Sequence, residues 1–349
     1  MTKSAYEVAK GCIVSYKQLY EPLLFNELNE KCENIKLYER GKISSAFIIH
    51  NYNEIVKVIK KDGFIFMQHI HPFILDCTVT GSVDDFLEII KMLKEVVQYI
   101  KKDDDLVVQC RIDSDKIMEF SNRELTNLIS DDLRVSGFNV NPKEAKTCVS
   151  LTVLKNRAYI GISNLDDNVS TWTGGVLFYS NNENILCRAE FKIEEAFEVF
   201  KINIDSNLLA LDLGAAPGGW SHFLSEKGIY VDAVDPACLD DRVLSCDKVK
   251  HYRMTAQEFS KNYPDKCYDI IVNDMKMDTN ESIDIICEMS KQLKNNGVCI
   301  LTLKLPKQNV QRRINIAKAV LSKKFAIVKM RQLYYNRSEV TIYMKNRIG

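Results

Sequence analysis

Apolar residues recur along this chain with two different rhythms, and the change between them falls about half-way. In the first half, strands and helices are mixed irregularly. Gly11 to Ser15, Ser44 to His50 and Phe64 to Thr78 are apolar and extended, while Tyr20 to Leu28 and Asn53 to Lys60 have helical spacing. The strongest helix runs from Val83 to Ile100, with Phe86, Ile89, Ile90, Leu93, Val96 and Val97 in its apolar stripe. Leu106 to Ile112 then reads as a strand and Asn122 to Leu133 as a helix stopped by Gly137. Cys148 to Leu154 and Ala158 to Ile162 flank Lys155-Asn156-Arg157 as a hairpin.

Ser163 to Gly175 is rich in Ser, Asn, Asp, Thr and Gly, and reads as a boundary. Beyond it the rhythm becomes a regular alternation. Leu208 to Leu213, Tyr230 to Val234, Ile270 to Asn273 and Val298 to Leu303 are aliphatic strands. Trp220 to Lys227, Ala256 to Asn262 and Ile283 to Leu293 are the helices between them. Such alternation predicts an α/β, Rossmann-like fold with a mostly parallel sheet covered on both faces. Ala326 to Tyr334 and Glu339 to Lys345, joined by Tyr335-Asn336-Arg337-Ser338, predict a C-terminal antiparallel hairpin. The expected organisation is an α+β subdomain over 1–60, a second α+β region over 61–165, a linker over 166–186 and the α/β domain over 187–349.

Composition narrows the picture little. At 46% hydrophobic and 27% charged residues, the chain can bury a core in each unit. The formal net charge is zero, so a nucleic-acid partner would have to be held by a local basic patch. Eleven cysteines lack C-x-x-C spacing, and free thiols in a reducing compartment suit them better than a disulfide framework. His69 and His71 have no cysteine pair at ligand spacing, so no metal is expected. No apolar run approaches the ~20 residues of a membrane span. The chain is expected to be soluble and cytoplasmic.

One segment carries a recognisable chemistry. A strand ending in Asp212 is followed by Gly214, Gly218 and Gly219 and then a helix, in Asp212-Leu213-Gly214-Ala215-Ala216-Pro217-Gly218-Gly219-Trp220. Glycines let the backbone approach a ligand, and the helix N-terminus offers free N–H groups. The next strand ends in Asp235, whose carboxylate can accept both hydroxyls of an adenosine ribose. The G-x-G-x-x-G of dinucleotide folds is absent.

Four charged residues fall where elements end near the same rim. Lys192 lies in the helix before the first strand, Asp274 follows the strand through Asn273, Lys304 ends the next strand, and Glu339 begins the last. Ligands of open α/β sheets bind at the carboxyl ends of strands, where Asp274 and Lys304 point. Two lysines and two carboxylates suit removal of a proton from a weakly acidic hydroxyl while it attacks a methyl sulfonium. A lysine base must be neutral, and burial with a second lysine nearby would lower its pKa. Taken singly, Lys192 and Glu339 also read as ordinary surface charges.

From about Cys187 onward the chain resembles the FtsJ-like ribose 2′-O-methyltransferases. The resemblance rests on Phe191-Lys192-Ile193-Glu194-Glu195-Ala196-Phe197, the glycine turn, Asn273-Asp274-Met275, Leu303-Lys304-Leu305-Pro306 and Arg331 to Thr341. The last segment is similar to the branch that methylates a cytidine ribose in large-subunit (23S) ribosomal RNA. That branch joins a THUMP-type RNA-binding module to the catalytic domain, and Val140 to Ser163 is similar to part of one. The resemblance implies S-adenosylmethionine as cofactor, held by Gly214, Ala216, Pro217, Gly218, Gly219, Trp220 and Asp235, with Asp274 nearby. It makes Lys304 the proton acceptor, with Lys192, Asp274 and Glu339 completing the set. Where that branch has an aspartate beside the adenine, this chain has Thr255, leaving the contact to Thr255, to backbone or to Gln257.

RNA, with large-subunit rRNA foremost, is therefore the expected partner. Lys307, Arg312, Arg313, Lys318, Lys323, Lys324, Lys329, Arg331 and Arg337 crowd the same rim, suited to phosphates. For any single lysine among them, a solvated helix face is the better account. Tyr334 and Tyr335 could stack a base, with one of the pair expected in the core because neighbouring strand residues face opposite ways. Two alternatives stand beside this reading: the same chemistry on tRNA or an mRNA cap, and a non-catalytic RNA-binding or ribosome-assembly protein.

Overall fold

Each strong period in the sequence becomes an element of the computed structural model, which describes residues 4–114, 116–177 and 185–347. The chain divides into two units, residues 1–177 and 178–349.

In the first unit, α1 (Ala5–Val8), β1 (Gly11–Ser15), α2 (Glu21–Lys31), β2 (Lys36–Arg40), β3 (Ser45–Ile49), α3 (Tyr52–Lys61) and β4 (His69–Phe73) come first. Their strands form an antiparallel sheet in the order β2-β3-β1-β4. This sheet extends beyond residue 60, because β4 pairs with β1. Its edge strand β2 escapes the sequence pattern because it is short, polar and only alternately half-buried, as exposed sheet edges commonly are.

A second sheet follows, from β5 (Leu75–Thr78), α4 (Asp85–Val96), β6 (Asp105–Asp113), α5 (Asn122–Val135), β7 (Asn139–Val140), β8 (Thr147–Leu154) and β9 (Arg157–Asn164), in the order β5-β9-β8-β6-β7. Helix α5 starts at a capping box in which the Ser121 hydroxyl accepts the Glu124 N–H and Glu124 accepts the Ser121 N–H. Ile89, Leu93, Leu125, Ile129 and Leu133 from the two helices pack with Val149, Leu151 and Ile160 of the sheet. The polar stretch 163–175 is folded into this unit. Tyr52 donates to Asn168 at 2.9 Å, Tyr6 donates to Asp167 at 2.8 Å, and Asn168 is wholly buried. Its polar side chains read as a linker, yet they serve as buried hydrogen-bond partners. Residues 178–184 of the expected linker lie outside the described residues.

The second unit runs α6 (Arg188–Val199), β10 (Leu209–Leu213), α7 (Gly219–Glu226), β11 (Tyr230–Val234), α8 (Asp241–Leu244), β12 (Val249–Tyr252), α9 (Ala256–Asn262), β13 (Tyr268–Asn273), α10 (Thr279–Met289), β14 (Leu293–Lys304), α11 (Val310–Leu321), β15 (Phe325–Arg331) and β16 (Glu339–Asn346). Its sheet has the order β12-β11-β10-β13-β14-β16-β15, parallel through β14 and antiparallel in the last two pairings. The middle strands are buried without alternation, the signature of a sheet covered on both sides. This is the expected Rossmann-like α/β fold, with its C-terminal antiparallel hairpin.

All eleven cysteines are free. His69 and His71 are buried on β4, hydrogen-bonded to Gln109 at 3.1 Å and Thr152 at 2.8 Å, and burial pushes the His71 imidazole down to about 4. No helix among the described residues is long and apolar enough to cross a membrane.

Candidate active site

Parallel strands bring their carboxyl ends to one edge, and the register sets which ends are neighbours. Leu213 lies beside Asn273, Asn273 beside Leu301, and Lys304 beside Glu339. The glycine turn after β10 is therefore next to Asp274, and Asp274 is close to Lys304 and Glu339.

The turn has the backbone a ligand cradle requires. Gly214 and Gly218 take φ of +75° and +115°, where L side chains are strained. A Cβ on Gly214 would collide with the Met275 side chain, so the turn abuts the residue after Asp274. Asp235, half-buried past the end of β11, accepts the Ala216 N–H at 3.1 Å and the Ala237 N–H at 2.8 Å. A carboxylate offers roughly four lone-pair sites, so capacity for two ribose hydroxyls remains. Bare backbone on one side and an acid on the other fit an adenosine cofactor. The Trp220 indole is spent elsewhere: it is buried and donates to the Ala189 carbonyl at 2.8 Å, tying α7 to α6. Thr255 is exposed and caps α9, its hydroxyl donating to Glu258 at 2.9 Å and accepting the Glu258 N–H at 3.2 Å.

Beneath the cradle, Asp212 is 1% exposed and accepts the Ser221 hydroxyl at 2.7 Å. Burial pushes its carboxyl up to about 7, against the Ser221 hydrogen bond that lowers it. A raised carboxyl stabilises the fold below its ordinary range, and that contribution is lost as pH rises through 7. Asp212→Asn should therefore gain on the native protein by about 1 kcal/mol between about pH 6 and about pH 8.5. Thermal melts of both proteins at the two pH values check this, and a variant that loses ground to the native protein on going alkaline would refute it.

Lys192, Asp274, Lys304 and Glu339 meet in one cluster. Lys192 Nζ donates to Asp274 at 3.0 and 3.2 Å and to Glu339 Oε1 at 2.9 Å. Lys304 Nζ donates to Asp274 Oδ1 at 3.3 Å and to Glu339 Oε1 at 3.0 Å. Each carboxylate thus serves both ammonium groups, and two charges of each sign balance. Burial opposes ionisation of Glu339, but the hydrogen bonds and charges of Lys192 and Lys304 outweigh it and hold the carboxyl at about 2. The Lys192 amine moves up, not down. Burial lowers it, yet Asp274 and Glu339 together raise it further, so the expected depression by a second lysine is overridden there by the carboxylates. The two lysines differ in access: the Lys304 side chain is 29% exposed and that of Lys192 is 11%. Thr279, at the start of α10, donates its hydroxyl to the Lys304 carbonyl at 2.9 Å and fixes the strand end.

Two residues without a role in the sequence reading belong here. Glu195, one turn along α6 from Lys192, is 3% exposed, and Asn336 is 1% exposed in the turn before Glu339. The signal available was a glutamate on a helix face otherwise destined for the core. Tyr334 and Tyr335 are both half-buried, so neither is a core residue. Their segment is a turn outside β15 and β16, where strand alternation does not operate. The Tyr335 ring stacks on half-buried Phe191, centroids 4.9 Å apart at 19°. Lys307, Arg312 and Arg337 are exposed, while Arg313 on α11 bonds Asn280.

Residues 185–342 match the family model described as FtsJ-like methyltransferase. A curated relative from Shewanella sediminis, the ribosomal RNA large subunit methyltransferase M, is 30% identical over 242 residues, 64% of this chain and 65% of that protein. Its namesake from Shewanella pealeana is 28% identical over 277 residues, 73% of this chain and 74% of that protein. The match thus spans just under two thirds of the S. sediminis protein. Among solved structures, TrmN from Thermus thermophilus aligns with a TM-score of 0.41 at 12% identity, over 97% of this chain and all of that one.

Proposed function

We propose, from the premise that residues 185–342 form an FtsJ-like methyltransferase domain, that the chain transfers a methyl group from S-adenosylmethionine to a ribose 2′-hydroxyl of large-subunit ribosomal RNA, that of a cytidine in 23S rRNA. The observation that carries this is the cluster of two lysines and two carboxylates beside the glycine turn. A binding protein gains nothing from ammonium groups held together at a partly buried rim.

S-adenosylmethionine supplies a methyl group on an electrophilic sulfonium. Gly214, Ala216, Pro217, Gly218 and Gly219 would hold it with Asp235 on its ribose, and with Asp274 and the Thr255–Gln257 segment as neighbours. The chain's own residues deal with the hydroxyl. Lys304, the more accessible lysine, must first give up a proton to solvent, and as the neutral amine its Nζ then accepts the hydroxyl proton as the oxygen becomes nucleophilic. Lys192 stays charged and keeps Asp274 and Glu339 in place, and those carboxylates in turn aim Lys304. Much of the rate would come from holding the hydroxyl in line, which a rigid four-residue frame favours. Exposed Lys307, Arg312 and Arg337 are suited to phosphates near the rim. Within residues 61–165, the part that bears the second sheet, beyond β4, is the proposed THUMP-like RNA-holding region, and the cytoplasm is the expected place of action.

The test is direct. The purified chain is given isotopically labelled S-adenosylmethionine and large-subunit rRNA, and the RNA is digested for nucleoside mass spectrometry. A labelled 2′-O-methylcytidine is expected. rRNA from cells lacking the chain should lack the same modification. Label in a base, or in no RNA at all, would overturn the reading.

A further inference from the structure

The four-residue cluster has a weak point in its construction. Lys192 comes from α6 and Glu339 from the far end of the domain, so something must fix the turn before β16 against α6. Glu195 is placed to do so. It lies three residues after Lys192, on the same stretch of helix surface. Its carboxylate accepts the Tyr334 N–H at 2.6 Å and the Tyr335 N–H at 2.8 Å. Both donors are main-chain groups, so the contact fixes the path of the turn whatever side chains stand there.

The turn passes this constraint on to Glu339. Asn336 Oδ1 accepts the Leu333 N–H at 2.8 Å and the Thr341 hydroxyl at 3.1 Å, closing the turn on itself. Glu339 Oε2 accepts the Arg337 N–H at 2.6 Å, which leaves Oε1 for Lys192 and Lys304. The Phe191–Tyr335 stack adds an aromatic contact between helix and turn. The result is a closed loop of contacts: Lys192, α6, Glu195, the turn, Glu339, and Lys192 again. A buried carboxylate is costly unless its hydrogen bonds are met, and charged acceptors bind N–H groups about twice as strongly as neutral ones. The turn is therefore held where it satisfies Glu195.

We propose that Glu195 is a positioning residue for methyl transfer, clamping residues 334–335 to α6 and so setting Glu339 against the two lysines. This rests on the function proposed above. Glu195→Gln keeps the shape but turns an amide NH2 toward one of the two N–H donors. The expected result is a fall in kcat of about 10–100-fold, with KM for rRNA and the affinity for S-adenosylmethionine within about twofold. Backbone amide exchange over residues 332–338 should quicken. Glu195→Asp, which keeps the charge, should recover part of the rate.

A merely structural role is separated by a double-mutant cycle with Glu339→Gln. If Glu195 acts through Glu339, the double variant is about as slow as Glu339→Gln alone. Additive losses, or a rate loss matching only the unfolded fraction in a melt, would overturn the proposal. So would an unimpaired Glu195→Gln in an assay where the native chain is active. A native chain inactive on every RNA strikes instead at the methyltransferase reading, and ends the catalytic role of Glu195 with it.

Discussion

Lys304→Ala should reduce methyl transfer by about 10²–10⁴-fold while leaving S-adenosylmethionine affinity nearly unchanged, because it removes the proton acceptor and little else. Lys192 keeps its bonds to Asp274 and Glu339 without Lys304, so the frame should survive the substitution. The glycine turn is held by Asp235 through the Ala216 N–H and packs against Met275, and the substitution removes neither contact. A sharper version is Lys304→Arg. A guanidinium can retain ion pairs with both carboxylates, but it does not lose a proton at working pH. If Lys304 serves as the base, the arginine variant should be as inactive as the alanine one. If Lys304 only supplies positive charge, arginine should restore much of the rate. Single-turnover rates with rRNA, alongside calorimetric titration of the cofactor, distinguish the two.

Asp235→Ala should produce the opposite pattern, a loss of cofactor affinity on the order of 100-fold, with turnover at saturating cofactor much less affected. Hydrogen bonds to a charged acceptor are worth about 1.5–3 kcal/mol each, and about 1.4 kcal/mol is tenfold in affinity. Two effects add here. The ribose loses its acceptor, and the turn loses the carboxylate that now holds the Ala216 and Ala237 N–H groups. Asp235→Asn separates them, since its one carbonyl oxygen can keep the turn N–H bonds only in part and its NH2 cannot accept a hydroxyl. Calorimetry measures both variants, and unchanged affinity in Asp235→Ala would remove Asp235 from the cofactor site.

What could be read in the sequence followed from where the chain repeats itself chemically. Every strand of the parallel sheet from β10 to β14 except β12 is an aliphatic run of unmistakable length, so the edge bearing Asp274 and Lys304 was legible. The glycine turn was legible because few other purposes call for so many glycines beside a proline. Edge strands β2 and β12 were not, since a polar, half-exposed strand has little periodic signal. The direction of the Lys192 shift was hidden for a different reason. It depends on two carboxylates reaching one ammonium group at about the same distance as each other, and residue types alone do not give that balance. Glu195 was hidden because its partners are main-chain N–H groups, which every residue but proline carries.

β16 lies between β14 and β15, although it follows both in the chain. Lys192, Asp274 and Lys304 all precede the exposed stretch Pro306–Asn309, and Glu339 follows it. A domain cut in that stretch would divide the charged cluster three to one. Neither fragment could hold the lysines in balance, and each would lack part of the sheet the other completes. Mixed together, they could regain methyl transfer only as the last strand slid into its slot beside β14, so that catalysis would report on reassembly of the fold.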